Sequence, residues 1–387
     1  MESTDIGGRT SFADKFLCII FCVFILAFSV LFFILPDKAE SSEENRMLAG
    51  VPSFSLEALA NGKYTSDVAK YYADQFPLRQ GLLRLAAGYD LALLSFESDG
   101  VMLGSGGYLI VRDDWYDSEQ LSASADNIGN FVKWAEENGI SCIVAVPGRS
   151  QDVLDRYFPA FYSGKGDRLS AELEERFAFT NYVDLISPLK SAVGGGEYAY
   201  YKTDHHWTGY GAYLAYRELS EVLGYTPYAM TEFNIEIASD EFFGTTWSSS
   251  GIRSTSPDTI EFWRYEGDTD IRTAIDGGEE FKGFYDYSYL DGKDKYSAFL
   301  SGNNGLVRIK SEVGEREKLL IVKDSFAHSL APFLARHFDL VLVDLRYYNK
   351  SCAKLCAQEG IKKVLFLCNA DTLYSSDDLK KLNMGLK

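Results

Sequence analysis

Histidine is scarce in this chain, with four residues among 387, and no spaced His/Glu helix motif brings them together. That argues against a metalloenzyme built on imidazole ligands. Basic residues are also in deficit: 38 Lys and Arg stand against 56 Asp and Glu, for a formal net charge of −18. No clustered Lys/Arg tract is present, so the chain lacks the electrostatic footprint that nucleic-acid binding needs. The same imbalance makes a strongly anionic polymer an uncomfortable ligand unless a local basic groove offsets it. Cysteine is limited to six. Cys18 and Cys22 lie in an apolar run, Cys142 and Cys368 in strand-like runs, and Cys352 and Cys356 one helical turn apart. This spacing carries no zinc signature and reads as buried thiols, with a disulfide left open. Internal repeats and long low-complexity tracts are absent.

What is present begins with a sizeable apolar fraction, 46% of residues, enough to bury the core of one large domain or of one domain with an insertion. Phe16 to Leu35 runs twenty residues without a charge, about the length that crosses a bilayer's hydrocarbon core. Pro36-Asp37-Lys38-Ala39 matches a signal-peptidase site poorly, which favours an uncleaved transmembrane helix over a signal peptide. Arg9 and Lys15 precede the span while Lys38 and Arg46 follow it, so the positive-inside count barely discriminates. The expected arrangement is a short cytoplasmic tail over 1–15, the span over 16–35, a stalk with N-terminal helices over 36–98, and a globular body over 99–387 outside the cytoplasm.

Within the body, periodicity predicts a hairpin over 101–111, a helix over 118–138 and a strand over 141–146 stopped by Pro147-Gly148. A helix over 169–177, a strand over 182–186 and a helix over 208–223 follow. Further strands are expected at 319–322, 340–343 and 364–368. Alternation of this kind implies a parallel sheet flanked by helices. The block from about 229 to 317 interrupts it with Gly, Ser, Thr and aromatics, and reads as a β-rich insertion.

The chemistry concentrates in Lys202-Thr203-Asp204-His205-His206-Trp207-Thr208-Gly209-Tyr210-Gly211. A carboxylate two residues from an imidazole can orient it as a general base, since alternate residues of an extended or turn segment project to one side. His206 is therefore preferred to His205. The matching nucleophile is Ser325 in Lys323-Asp324-Ser325-Phe326, which ends an apolar strand and opens a helical segment over 326–338. Backbone N–H groups at such a helix start can receive an oxyanion. A serine there also serves as a plain helix cap, and Asp204 with His206 as a structural turn; the two signals together favour acyl transfer. Arg346 and Tyr347 after the next strand, Arg149 after Pro147-Gly148, and Trp207 are candidate substrate contacts. A packing role is preferred for Trp207. His328 reads as a helix-face residue. Treating Asp204, His205 and His206 as metal ligands is disfavoured because adjacent histidines rarely point at one ion.

Asp204-His205-His206-Trp207 resembles the signature of the DHHW protein family, and with Asp324-Ser325-Phe326 it is similar to the SGNH-hydrolase-like domain of alginate O-acetyltransferases. Glu44-Asn45-Arg46, Pro52 to Phe54, Asp74-Gln75-Phe76-Pro77-Leu78-Arg79 and Gly106-Gly107-Tyr108-Leu109 resemble the family's lead-in. The segment from Gly244-Thr245-Thr246 to Asp258-Thr259-Ile260 resembles another of its stretches. The resemblance implies a three-layer α/β fold and a Ser325, His206, Asp204 triad. It also implies transfer of acetyl groups to a polysaccharide without a cofactor, and a multipass membrane acyltransferase as donor-side partner. The chain order Asp, His, Ser implies a circularly permuted SGNH core. Transferase and esterase outcomes differ only in the acceptor. A non-catalytic glycan-binding or assembly protein of the same fold is the rival reading.

Overall fold

Four apolar runs, 143–146, 319–322, 340–343 and 364–367, are buried almost without exposed surface. Strands covered on both faces read as continuous rather than alternating apolar runs, and these four form the middle of one sheet. The structure, a computed structural model, describes residues 11–41, 46–112, 117–160, 162, 166–278 and 280–386. The tail expected over 1–15 is thus described only from Ser11, and Glu44 and Asn45 of the lead-in lie outside the described residues. The chain divides into two compact units, Met1–Leu85 and Ala86–Lys387.

In the first unit, helix Phe12–Ile34 starts from a capping box in which the Ser11 N–H donates to Asp14 at 2.8 Å. It is long and apolar enough to cross a membrane by length and composition. The region expected as a stalk with N-terminal helices holds Leu56–Ala60, Lys63–Asp74 and Arg79–Ala92, the last continuing past the unit boundary at Leu85. The buried Asp74 carboxylate accepts the Ala49 N–H at 2.8 Å, pinning the preceding loop.

The second unit is built on an eight-stranded sheet. In chain order its strands are β1 Ser141–Val146, β2 Asn181–Asp184, β3 Ile271–Ile275, β4 Glu280–Lys282, β5 Leu306–Ser311, β6 Lys318–Lys323, β7 Asp339–Val343 and β8 Lys363–Leu367. Their spatial order is β4-β3-β5-β7-β6-β8-β1-β2. The five strands from β7 to β2 run parallel, as the alternating pattern implied. The sheet as a whole is mixed, however, because β5, β3 and β4 join antiparallel at the β7 edge. All three come from the block expected as an insertion. Asp276 and Gly277, both at positive φ (48° and 76°), make the tight reversal between β3 and β4. A separate ribbon, Asn234–Phe242 paired with Asp258–Arg264, comes from the same block.

Because β6 and β8 are parallel neighbours, the loops at their carboxyl ends emerge side by side. That is where open α/β sheets collect functional groups.

Candidate active site

After β6 the chain turns through Asp324, Ser325 and Phe326 into helix Ala327–Leu334. The buried Asp324 carboxylate fixes this turn by accepting the Phe326 N–H at 3.0 Å, the Asn369 N–H at 2.6 Å and the Thr372 hydroxyl at 2.9 Å. Asn369 and Thr372 follow β8, so one side chain ties two neighbouring loops together. Burial pushes the Asp324 carboxyl above the usual range, and these donors oppose the push. The Ala327 and His328 N–H groups return to the Asp324 and Ser325 carbonyls at 3.4 and 3.1 Å. The N–H groups of Phe326, Ala327 and His328 thus each have an acceptor within the turn.

The histidine loop is held by the ribbon block. Asp258, buried at the head of its strand, accepts the Lys202 and Thr203 N–H groups at 2.8 Å, the Thr203 hydroxyl at 2.5 Å and the Tyr198 hydroxyl. Gly244 presses on Asp204 so closely that a Cβ there would sit 2.2 Å from the Asp204 Cβ and 2.3 Å from its Oδ2. Only glycine permits that approach. Next to it, Thr245 donates its N–H and its hydroxyl to Asp204 Oδ2 at 2.8 and 3.0 Å.

Asp204 Oδ1 accepts both the backbone N–H of His206, at 3.0 Å, and its ring Nδ1–H, at 2.5 Å. With that proton on Nδ1, the neutral ring presents a lone pair at Nε2, which lies 2.7 Å from Ser325 Oγ. A carboxylate, an imidazole and a hydroxyl thus form one hydrogen-bonded line, whose last link joins residues 119 apart in sequence. Burial alone would raise the Asp204 carboxyl. The two neighbouring histidines, the His206 bond and the Thr245 N–H outweigh it and hold the group well below the usual carboxylate range.

Trp207 is fully buried, and its Nε1–H donates to the Phe326 carbonyl at 3.1 Å and to Ser329 Oγ at 2.9 Å. It is a strut between the histidine loop and the serine helix, with no ring face exposed. Tyr296, which the sequence reading missed, makes a second strut: its hydroxyl donates to the Ser325 carbonyl at 3.2 Å and its ring lies on His206. Asp258, Gly244 and Thr245 were missed as well, although the stretch from Gly244 to Asp258 had been marked by resemblance.

Three residues expected to contact substrate do not join this group. Arg149 is buried and grips Asp152 through Nε at 2.9 Å and a terminal nitrogen at 3.1 Å, with Asp371 at 3.3 Å. Arg346 makes a two-pronged pair with Asp344 at 2.9 and 2.6 Å. Tyr347 is half-exposed, with the Arg346 guanidinium 5.5 Å from its ring centroid. The sequence showed cationic residues at strand ends but not the carboxylates that occupy them. His328 is likewise no open helix-face group: it is buried, with Nε2 2.7 Å from Lys323 Nζ. Burial pushes the Lys323 ammonium down to about 8, Asp344 opposing and Arg346 adding to the shift.

Asp204, His205 and His206 each place one ligand-type atom within 4.8 Å of the others. Those of Asp204 and His206 are spent on each other and on Thr245, so the set does not converge on an ion.

Residues 188–344 match the DHHW protein family, and residues 101–237 match the SGNH hydrolase-like domain of the acetyltransferase AlgX. The probable alginate O-acetylase AlgJ of Pseudomonas fluorescens is 28% identical over 195 residues, 46% of this chain and 47% of that protein. The chain thus matches about half the length of its curated relatives. A DHHW family protein from Eubacterium siraeum shares the fold at a TM-score of 0.61 and 20% identity, over 73% of this chain and 98% of that one. Bacillus cereus PatB1 with a sulfonyl adduct shares it at 0.59 and 18% identity, over 72% and 99%.

Proposed function

With the two family matches as premise, we propose that this chain is a membrane-anchored serine O-acetyltransferase acting on hydroxyl groups of a polysaccharide outside the cytoplasm. The hydrogen-bonded line from Asp204 through His206 to Ser325 carries the reading. Ser325 Oγ attacks the acetyl carbonyl of a donor ester while its proton passes to His206 Nε2, and the Asp204 carboxylate steadies the imidazolium that forms. Collapse expels the donor alcohol, which takes that proton, and leaves acetyl-Ser325. A sugar hydroxyl then bonds to the acetyl carbon, the Ser325 Oγ–C bond breaks, and the hydroxyl proton travels by way of His206 back to Ser325. Water as acceptor gives the esterase outcome from the same intermediate.

The chain order Asp204, His206, Ser325 supports reading the core as a circularly permuted, three-layer SGNH-like domain. Helix Phe12–Ile34 supports a single-pass anchor, with the body over 99–387 on the far side and Trp207, Tyr296 and Asp258 as its internal braces. A multipass membrane acyltransferase as acetyl supplier follows from the resemblance to alginate acetylation proteins. The acidic balance of the chain favours a neutral glycan over a polyuronate.

The test is to incubate the full chain in detergent with 4-nitrophenyl acetate and to follow 4-nitrophenolate release, comparing wild type with Ser325→Ala. The reading expects release by the wild type and its loss in the variant. Equal release by both, with the variant folded, would instead favour the non-catalytic reading.

A further inference from the structure

Two imidazoles stand side by side here, their ring centroids 3.9 Å apart, and only His206 has been given a task. The hydrogen bonds around Thr245 define the other. The Thr245 hydroxyl has a single proton and donates it to the ionised Asp204 at 3.0 Å. His205 Nδ1 lies 2.8 Å from the same Thr245 oxygen, which can only accept a second bond. The charged carboxylate is the stronger acceptor for the Thr245 proton, and with that assignment His205 carries its proton on Nδ1 and offers Nε2 as an acceptor. Its burial, although incomplete, pushes the ring's pKa below the usual histidine range. The nearby His206 adds to that push, while the Asp204, Asp371 and Asp324 carboxylates oppose it.

Exposure shows where that acceptor can work. Asp204, His206, Trp207, Tyr296 and Phe326 are buried, while Ser325 is partly exposed and the His205 side chain is 36% exposed. The Ser325 hydroxyl and the His205 ring thus both reach the surface of the site, with Thr245 partly exposed beside them. Proton balance limits what the ring can bind during transfer. The attacking hydroxyl gives its proton to His206, so a bond received by His205 comes from a different hydroxyl.

We propose that His205 Nε2 forms an acceptor subsite for the neighbouring hydroxyl of a sugar vicinal diol, so that the enzyme acetylates one hydroxyl while holding the other. This rests on the acetyl-Ser325 reading above. One neutral hydrogen bond made in this way corresponds to a preference of about three- to tenfold.

The test uses the full chain in detergent with 4-nitrophenyl acetate as donor. A methyl glycoside bearing a vicinal diol and its monodeoxy counterpart serve as acceptors, with wild type, His205→Ala and His205→Phe compared. The phenyl ring keeps the volume without the lone pair. Acetyl-Ser325 is followed by intact mass spectrometry. The expected result is read on acetyl-Ser325 already formed in each protein, so that a change in the rate of self-acetylation does not enter it. Wild type then transfers about three- to tenfold faster to the diol than to the deoxy sugar, and both variants lose that preference while hydrolysis to acetate persists. A variant that keeps the wild-type diol preference overturns the subsite while leaving acetyl-Ser325 intact. Failure of the wild type to form acetyl-Ser325 overturns the underlying reading and the subsite with it.

Discussion

The ring of Tyr296 lies flat on the imidazole of His206, with centroids 4.0 Å apart and planes 11° from parallel. An imidazolium formed during serine attack would gain from that π face, an effect of about 2 kcal/mol when desolvated. Tyr296→Phe keeps the face and loses the hydroxyl bond to Ser325; Tyr296→Leu loses both. The expected burst rate with 4-nitrophenyl acetate is near wild type for Phe and about tenfold lower for Leu, with little change in KM. Equal losses in the two variants would assign the effect to the hydroxyl instead.

Gly244→Ala places a methyl group 2.2 Å from the Asp204 Cβ. Since that contact is with a buried, fully bonded carboxylate, the loop must move and carry His206 with it. Activity should fall by about a hundredfold, the scale of a misplaced catalytic group, and Tm should drop. Unchanged kinetics would show that the loop has slack absent from this structure.

Asp258→Asn tests the brace behind the loop. The carboxylate gathers four donors, and an amide turns one acceptor into a competing donor. Chemical denaturation should show a loss of about 1–3 kcal/mol, with kcat reduced in the folded fraction. A loss of stability below a few tenths of that range would mean the ribbon is dispensable.

Lys323 offers a pH test with a definite sign. Its folded-state pKa of about 8 lies below the unfolded value of 10.5. Between those limits the unfolded chain holds more protons, and this group's contribution to stability rises with pH. Relative to Lys323→Met, the wild type should gain stability from pH 8 to 10.5. A flat difference, or one of opposite sign, would mean that Asp344 and His328 compensate the buried charge.

Much of this was legible because it depends on local pattern. The runs at 319–322, 340–343 and 364–367 announced buried parallel strands, and Phe16 to Leu35 announced the apolar helix. The spacing of Asp204 and His206 announced an oriented imidazole, and Ser325 at a strand-to-helix turn announced its partner. What stayed hidden depends on contacts between distant segments. Tyr296, Gly244 and Asp258 belong to the block set aside as an insertion, and no periodicity marks a ring that will lie on a histidine 90 residues earlier. The mixed sheet was missed for the same reason, since β5 finds β7 by tertiary pairing. The pairing of Arg149 with Asp152 and of Arg346 with Asp344 was hidden too, because nothing in the sequence marks those carboxylates as partners.

The central claim is that Ser325 becomes acylated with His206 as its base. It is tested most directly by intact mass spectrometry of the full chain after exposure to an acetyl ester or a sulfonyl fluoride, with peptide mapping of the modified site. The account predicts a single adduct on Ser325 that is absent from Ser325→Ala and formed at least about a hundredfold more slowly in His206→Ala. A folded protein that remains unmodified, or one modified equally well without His206, would contradict it.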